Sequence, residues 1–535
     1  MRHKLSALVL LLALLVSTSS CNESDLDVTI YGQQEDKDFY KNLDQFSQAL
    51  NMCYYFTKVR WEEFTWHYMC VKSIGTDDCE KGGGGVSDRA EWYELSTCNI
   101  NTTNSEVASF WKHHYRLIYQ VNLLLDNGEI FRNNNQLSET DLALLTRYEN
   151  EAKWLRAWCY YQLITVYGDV PLFVHAESVS DIYKSRSPKA EVYAQIISDL
   201  KDATQLPKRS ELDIAETGRI TSGAAWALLG KVYWFMRDFE DSEKALGVLV
   251  TGEQKDEYKL CPDFAEMWLN YNSNSVESIF EVQYKQTGGD WTKATGCALQ
   301  WYLNSTDDGY SFHMPTADLY AEFEKNDPRI VWTFVRTGDE FDAGNPVKNS
   351  RYPAGMWDRK HYAPRSEYQG AEVFISVADG KITHHFLRYA DILLMYAEAL
   401  NENNKPDKAL IYLNEVRDRA RISSVTDPKR KIKQVDKPVV SAATLPAVTT
   451  RDKEELKKAI WHERRVELAL EGFRRDDLVQ QQRLGKVMTA YYNNHAITKY
   501  EEDKGRYFIE GKHELLPIPQ GEIDKANGAL TQNNY

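Results

Sequence analysis

The sequence predicts a mainly α-helical protein, a tetratricopeptide-like scaffold of helical hairpins with long irregular inserts and a few short strands. Three observations predict it. From Phe39 onward, apolar residues recur at three- and four-residue steps through most of the chain. WALLGKVY, at 226–233, matches the tetratricopeptide opening W-x2-L-G-x2-Y position for position. RYADILLMYAEALNENNKPDKALIYLNEVR, at 388–417, is a second such unit: Leu393, Tyr396, Ala397, Leu400, Ala409 and Leu413 fall at packing positions, and NENNKPD makes the turn.

The first element is not part of that scaffold. MRHKLSALVLLLALLVSTSSC has a basic start, an apolar run from Leu5 to Val16 and small residues ending at Cys21, the layout of a secretory signal that is too short to span a bilayer. The Ser19-Ser20-Cys21 junction resembles a bacterial lipoprotein cleavage site, at which Cys21 would become the lipidated first residue. The expected organisation is a signal peptide over 1–20, a polar, acidic tether over 21–38 and a single domain over 39–535.

Within that domain, 111–127 places Tyr115, Ile118, Val121, Asn122 and Leu125 at helical steps, and 148–168 does the same with Leu155, Trp158, Cys159 and Gln162. Gly168 and Pro171 stop the second helix, and Pro207 stops an amphipathic helix over 191–207. SIFEVQY, at 278–284, alternates like a strand. The helical scaffold is expected mainly over 105–250 and 384–490, with irregular inserts mainly over 54–98 and 285–383. Long inserts of this kind tend to carry function.

Composition narrows the function. The formal charge of −15 becomes −17 without residues 1–20, which hold two basic and no acidic residues, so nucleic acid is an unsuitable partner. Seven cysteines follow Cys21, an odd set. Cys159 reads as an inert core thiol, while Cys70 and Cys79 are close enough in sequence for a disulfide. No Cys-x2-Cys pair, phosphate loop, nucleophile elbow or HExxH occurs, so no metal or cofactor is expected. Asn304, Asp307 and Asp308 could hold calcium but lack the glycine-punctuated spacing of a dedicated loop.

IWHERRVELALEGFRRDDL, at 460–478, carries Glu463, Glu467 and Glu471 at every fourth residue, a ridge of like charge if the segment is one helix. Arg464, Arg474 and Arg475 stand beside it, so the ridge reads as an ion-pair network between helices, with His462 a weak candidate for a metal ligand.

AKWLRAWCYYQLITVYGDVPL, GRITSGAAWALLGKVY, LRYADILLMYAEALNE, HERRVELALEGFRRDDL and ELLPIPQGEIDKANGALTQNNY resemble, in order, successive signatures of the SusD/RagB family across the mature chain. CNESDLD is similar to that family's surface-export signal, whereas VQQQRLG departs from the family's usual aromatic and Arg-Trp-Gly ending. The resemblance implies a non-catalytic, lipid-anchored protein facing the cell exterior from the outer membrane. It would capture a glycan and deliver it to a SusC-like TonB-dependent transporter, using aromatics in the inserts.

Sugars present flat C–H faces and hydroxyls, so their sites need exposed rings beside polar groups. The candidates are Trp92, Trp291, Trp301, Tyr302 and Trp357, with Asn304, Asp307, Asp308 and Arg359 beside them, while Trp61 and Trp66 are assigned to packing. A surface glycoside hydrolase, needing two carboxylates across a cleft, is the rival class. A peptide- or glycopeptide-binding lipoprotein of the same uptake type is a further alternative. Acylation requires the Cys21 thiol, so Cys21→Ala is expected to move the protein out of the membrane fraction; unchanged partitioning would overturn lipidation.

Overall fold

Side-chain caps open several of the helices. The computed structural model describes residues 39–58, 64–178, 181, 183–268, 273–284, 297–305, 309–342, 345–348, 354–362, 380, 382–427, 432–494 and 502–535. The first elements are α1 (Leu43–Tyr55), α2 (Phe64–Ser73), β1 (Cys79–Gly82) and α3 (Ala90–Thr97). Asn104 then caps the long α4 (Ser105–Asn134), its Oδ1 accepting from the amides of Glu106 and Val107, and Ser138 caps α5 (Glu139–Tyr167). The scaffold continues through α6 (Lys189–Ala203), α7 (Ser222–Met236) and α8 (Phe239–Val250).

The tetratricopeptide-like match at 226–233 lies in α7, which pairs with α8 as a hairpin. Its glycine is required by close approach: a Cβ on Gly230 would stand 2.3 Å from Leu246 Cδ2 of α8. The strand expected at 278–284 forms β2 (Ser278–Val282). The long second insert is ordered into short pieces where described: α9 (Leu299–Leu303), β3 (Phe312–Pro315), α10 (Ala317–Glu322), α11 (Ile330–Thr333), β4 (Phe334–Arg336), β5 (Glu340–Asp342), β6 (Asn345–Pro346), β7 (Met356–Asp358) and β8 (His384–Arg388). Among the described residues the strands form the antiparallel pairs β1–β3, β2–β8, β4–β7 and β5–β6, and Glu340 of β5 also bridges Lys433.

The second unit comprises α12 (Tyr389–Glu402) and α13 (Pro406–Ile422), the latter opened by Pro406. After them come α14 (Lys453–Glu467), α15 (Arg474–Gln480), α16 (Leu484–Asn494) and α17 (Gln520–Lys525). Packing is continuous: α4 on α5, α5 on α6, α6 on α7, α8 on α12, and α12 on both α13 and α14. The main hydrophobic core accordingly gathers residues from Phe46 to Leu530. All seven cysteines after Cys21 are buried free thiols, so the disulfide considered for Cys70 and Cys79 does not form. Burial pushes the thiols of Cys53 and Cys297 up to about 12, which keeps them protonated and inert.

The charged segment at 460–478 is not one helix. α14 ends at Glu467, the chain passes through positive φ at Leu470 (66°) and Gly472 (85°), and α15 starts at Arg474. Glu471 therefore lies in the turn rather than on a helical ridge. Its neighbours in sequence are not its partners either. Arg388 serves Glu467 and Glu471: its Nε donates to Glu471 Oε2 at 2.7 Å, its Nη1 to Glu277 and Glu467, and its Nη2 to Glu471 Oε1 and the Glu467 carbonyl. All five guanidinium N–H groups are satisfied. Arg419 bridges Glu277 and Glu467, Arg329 bridges Asp327, Glu463 and Glu467, and Lys360 reaches Glu471 at 2.6 Å. Arg464 turns elsewhere, to Asp391 and Asp477, while Arg474 meets Asp77 at 2.8 Å and Lys72 meets Asp476 at 2.8 Å.

Glu467 is fully buried, and burial alone would raise its carboxyl; Arg419, Arg388 and Arg329 instead hold it well below the usual carboxylate range. Glu467→Gln should cost about 3 to 5 kcal/mol, because buried guanidinium groups lose their charged partner. Thermal denaturation measures that loss. A variant of unchanged stability would remove the structural role.

His462 is an ion-pair group rather than a metal ligand. Its Nδ1 lies 2.6 Å from Glu322 Oε1 and its Nε2 lies 3.4 Å from Glu324 Oε1. Burial opposes its charge, but the two carboxylates raise the imidazole to about 9, and hydrogen bonds from His462 help hold both of them at about 2. Because the folded-state value lies above the ordinary 6.5, this contribution is complete below that pH and is lost as pH rises through about 9. The carboxylate contribution is complete above their ordinary 4.5 and lost as pH falls toward about 2. His462→Gln is therefore expected to lower the melting temperature clearly at about pH 6 and much less at about pH 9.5. Equal losses at both would overturn the assignment.

Candidate functional site: an aromatic terrace on the inserts

The two inserts meet where β1 pairs with β3, in a register that sets Gly82 opposite Phe312. Gly82 has φ +74°, and a Cβ there would lie 2.0 Å from the Ser311 carbonyl, so the strands can close only over a glycine. Lys81 fixes the loop that follows. Its buried ammonium donates to the carbonyls of Gly82 at 2.7 Å, Gly85 at 2.9 Å and Asp88 at 2.8 Å, while Asp88 Oδ2 accepts from the Gly84 amide at 2.6 Å. The glycine-rich run 82–85 is thus wrapped around one cation.

On this frame stands a stack of rings. Trp66 of α2 packs against Trp92 of α3 with centroids 4.3 Å apart, and against Tyr302 of α9 at 3.8 Å. Trp92 meets Phe312 of β3 at 5.1 Å. Outward from Tyr302, Trp301 lies 6.1 Å away and is stacked on Tyr310 at 5.2 Å and 25°. Backbone bonds hold the outer pair in place: the Tyr310 amide donates to the Trp301 carbonyl at 2.9 Å and the Ser311 amide to the Asn304 carbonyl at 2.9 Å. Trp301 is half-buried and Tyr310 is 47% exposed.

The structure divides the residues that the sequence nominated. Trp92, Trp301 and Tyr302 come together in this stack. Trp92 and Tyr302 are buried in it, however, so in this conformation they back the outer rings rather than face solvent. Trp357 is fully buried in β7, its indole Nε1 donating to Ser311 Oγ at 3.0 Å, and it supports the terrace from below. Asn304 is fully buried, with its carbonyl taken by Ser311. Arg359 is also buried, its guanidinium 4.1 Å over the Trp332 ring and its Nη1 donating to the Val331 carbonyl. These last three were nominated because they sit in polar, aromatic-rich inserts, but the inserts have cores of their own. Trp291, Asp307, Asp308, Trp61 and Cys21 lie outside the described residues. Trp66 is in the core, as expected. Tyr310 was missed, although the DDGY that contains it signals a turn capable of presenting a ring to solvent.

Two described carboxylates beside the terrace, Glu106 and Glu94, are engaged as structural acceptors. Glu106 Oε2 lies 2.5 Å from His67 Nδ1, and hydrogen bonding from His67 lowers its pKa against the opposing effect of burial. Glu94 Oε2 accepts from Asn104 and from the Asn101 amide. Among the described residues no group of three or more His, Cys, Asp or Glu side chains is placed to hold a metal ion. No described helix is long and apolar enough to cross a membrane.

Helical hairpins stacked in tetratricopeptide fashion, with an aromatic face carried on two interlocked inserts, define the class of fold. The chain belongs to the SusD family: residues 266–535 match its sequence profile, and residues 70–234 match a second profile described as starch-binding, associating with the outer membrane. A SusD-like protein of Formosa agariphila is 24% identical over 546 residues, covering 100% of this chain and 99% of its own, and one of Bacteroides ovatus is 24% identical over 92% and 87%. Among solved structures, a laminarin-binding SusD-like protein is 25% identical with a TM-score of 0.71, over 92% of this chain and 100% of that one. A SusD homolog of Bacteroides thetaiotaomicron has a TM-score of 0.76 at 23% identity, over 94% and 99%.

Proposed function

We propose that this protein is a surface glycan-binding lipoprotein, anchored in the outer membrane through Cys21 and facing the cell exterior. It captures an oligo- or polysaccharide on the Trp301–Tyr310 face and hands it to a TonB-dependent transporter, without cleaving it. One observation carries this reading: a flat pair of stacked rings, outermost of an aromatic stack, stands on a backbone braced by Lys81, Gly82 and the β1–β3 pair. Sugar C–H faces stack on such rings, and a braced platform loses little freedom on binding. The laminarin-binding relative supports a carbohydrate, and the outer-membrane description of the matched profile supports the location. The commitment of Glu94, Glu106 and Asp88 to structural hydrogen bonds supports binding over hydrolysis.

Trp301→Ala or Tyr310→Ala should weaken oligosaccharide binding by up to about tenfold, the value of one stacking contact, with an unchanged melting temperature. Calorimetric titration reads the first and thermal denaturation the second. Trp92→Ala is the contrasting variant and should cost stability, about 3 to 5 kcal/mol. Wild-type protein should leave the oligosaccharide at full length after long incubation. Shortened products from clean protein would favour the hydrolase, and unchanged affinity in both outer-ring variants would remove the terrace as the site.

A further inference from the structure

A second aromatic groove lies on α4, sharing no residue with the terrace. It encloses about 370 Å³, within the range of small-ligand sites. Trp111, Tyr115 and Tyr119 recur every fourth residue along α4, and Phe173 and Tyr183 close the far side. Trp111 is buried and lies 4.8 Å from Tyr115, which stands edge-on to Phe173 at 5.9 Å. The Tyr115 hydroxyl donates to the Pro171 carbonyl at 2.8 Å, which fixes the floor. Tyr119 and Tyr183 are each 43% exposed at the rim.

The charges of the rim are unequal. Lys184 is paired with Glu177, Lys525 with Glu522 at 3.0 Å, and His175 with Asp126 at 2.8 Å. Lys112 and Arg116 remain. Both are exposed, one turn apart on the same helix, and among the described residues neither takes part in an ion pair; Arg116 lies 4.2 Å over the Phe56 ring. Like charges at this spacing repel, and an anion between them would relieve the repulsion. They stand in a chain of formal charge −15, and among the described residues neither has a carboxylate partner.

We infer that this groove is a second carbohydrate site, specific for acidic sugars: a pyranose ring lies on the Tyr115, Tyr119 and Phe173 surfaces while its carboxylate is held by Lys112 and Arg116. The inference rests on the reading of the protein as a glycan binder and extends it to a second ligand class. The protein would then be bivalent, able to hold one chain at two points or two different glycans at once.

The test is calorimetric titration of the full-length protein in detergent with an oligogalacturonate, its carboxyl-reduced neutral counterpart of equal length, a sulfated neutral oligosaccharide and polyglutamate. The oligogalacturonate should bind about tenfold or more tightly than its reduced form at low salt, and the preference should shrink as salt rises. The Lys112→Gln/Arg116→Gln double variant should lose the preference, and Tyr119→Ala should weaken the oligogalacturonate. Melting temperatures confirm that the variants fold. Absence of a preference, its survival in the double variant, or binding of polyglutamate as tight as that of oligogalacturonate would each overturn the proposal. Binding of the sulfated probe but not the uronate would overturn the carboxylate assignment. If neutral oligosaccharide still binds and responds to Trp301→Ala, only this groove has failed; if no glycan binds, the glycan-binding reading has failed with it.

Discussion

The Arg388 guanidinium holds together parts of the chain that hydrophobic packing alone would leave free to slide. Its five N–H groups reach Glu277 ahead of β2, Glu467 at the end of α14 and Glu471 in the turn beyond, while Lys360 of the second insert enters the same cluster through Glu471. Apolar contacts are nondirectional, but a fully satisfied buried charge permits one geometry. The cluster therefore sets the register between the helical scaffold and the insert resting on it. Lysine could not replace Arg388, since a single ammonium offers three donors without the planar fork.

The scaffold was legible in the sequence because helices state their period locally. The α7–α8 hairpin follows from WALLGKVY, and the α12–α13 hairpin from a run of packing residues and a turn. Ion pairing around Glu467 was legible as chemistry, since buried carboxylates need cations, but its geometry was not. The expected partners were adjacent arginines on one helix; the actual ones, Arg388, Arg419 and Arg329, lie on other elements, and the helix ends at Glu467. Only tertiary structure selects among cations that sequence makes equally available.

The inserts were harder to read for a related reason. Rings in a region without period can face either way, and one-sided burial leaves no pattern of 2 or 3.6 to reveal it. Trp357 and Trp92 look in sequence like Trp301, yet Trp357 is closed into a small core of the insert and Trp92 into the main core, while Trp301, with Tyr310, is set at the edge. The same arrangement explains the stiffness of the outer pair, because each exposed ring rests on a buried one.

The pairing of Lys72 with Asp476 and of Asp77 with Arg474 joins residues about four hundred positions apart. Until residues 474–476 are in place, the first insert has its charges but not their counterions, and closing its core over them is strongly unfavourable. The core of the first insert therefore closes only together with the carboxy-terminal helices that supply those counterions. Completion of the fold is in effect a proofreading step, passed only by a polypeptide long enough to bring its last helices back to its first.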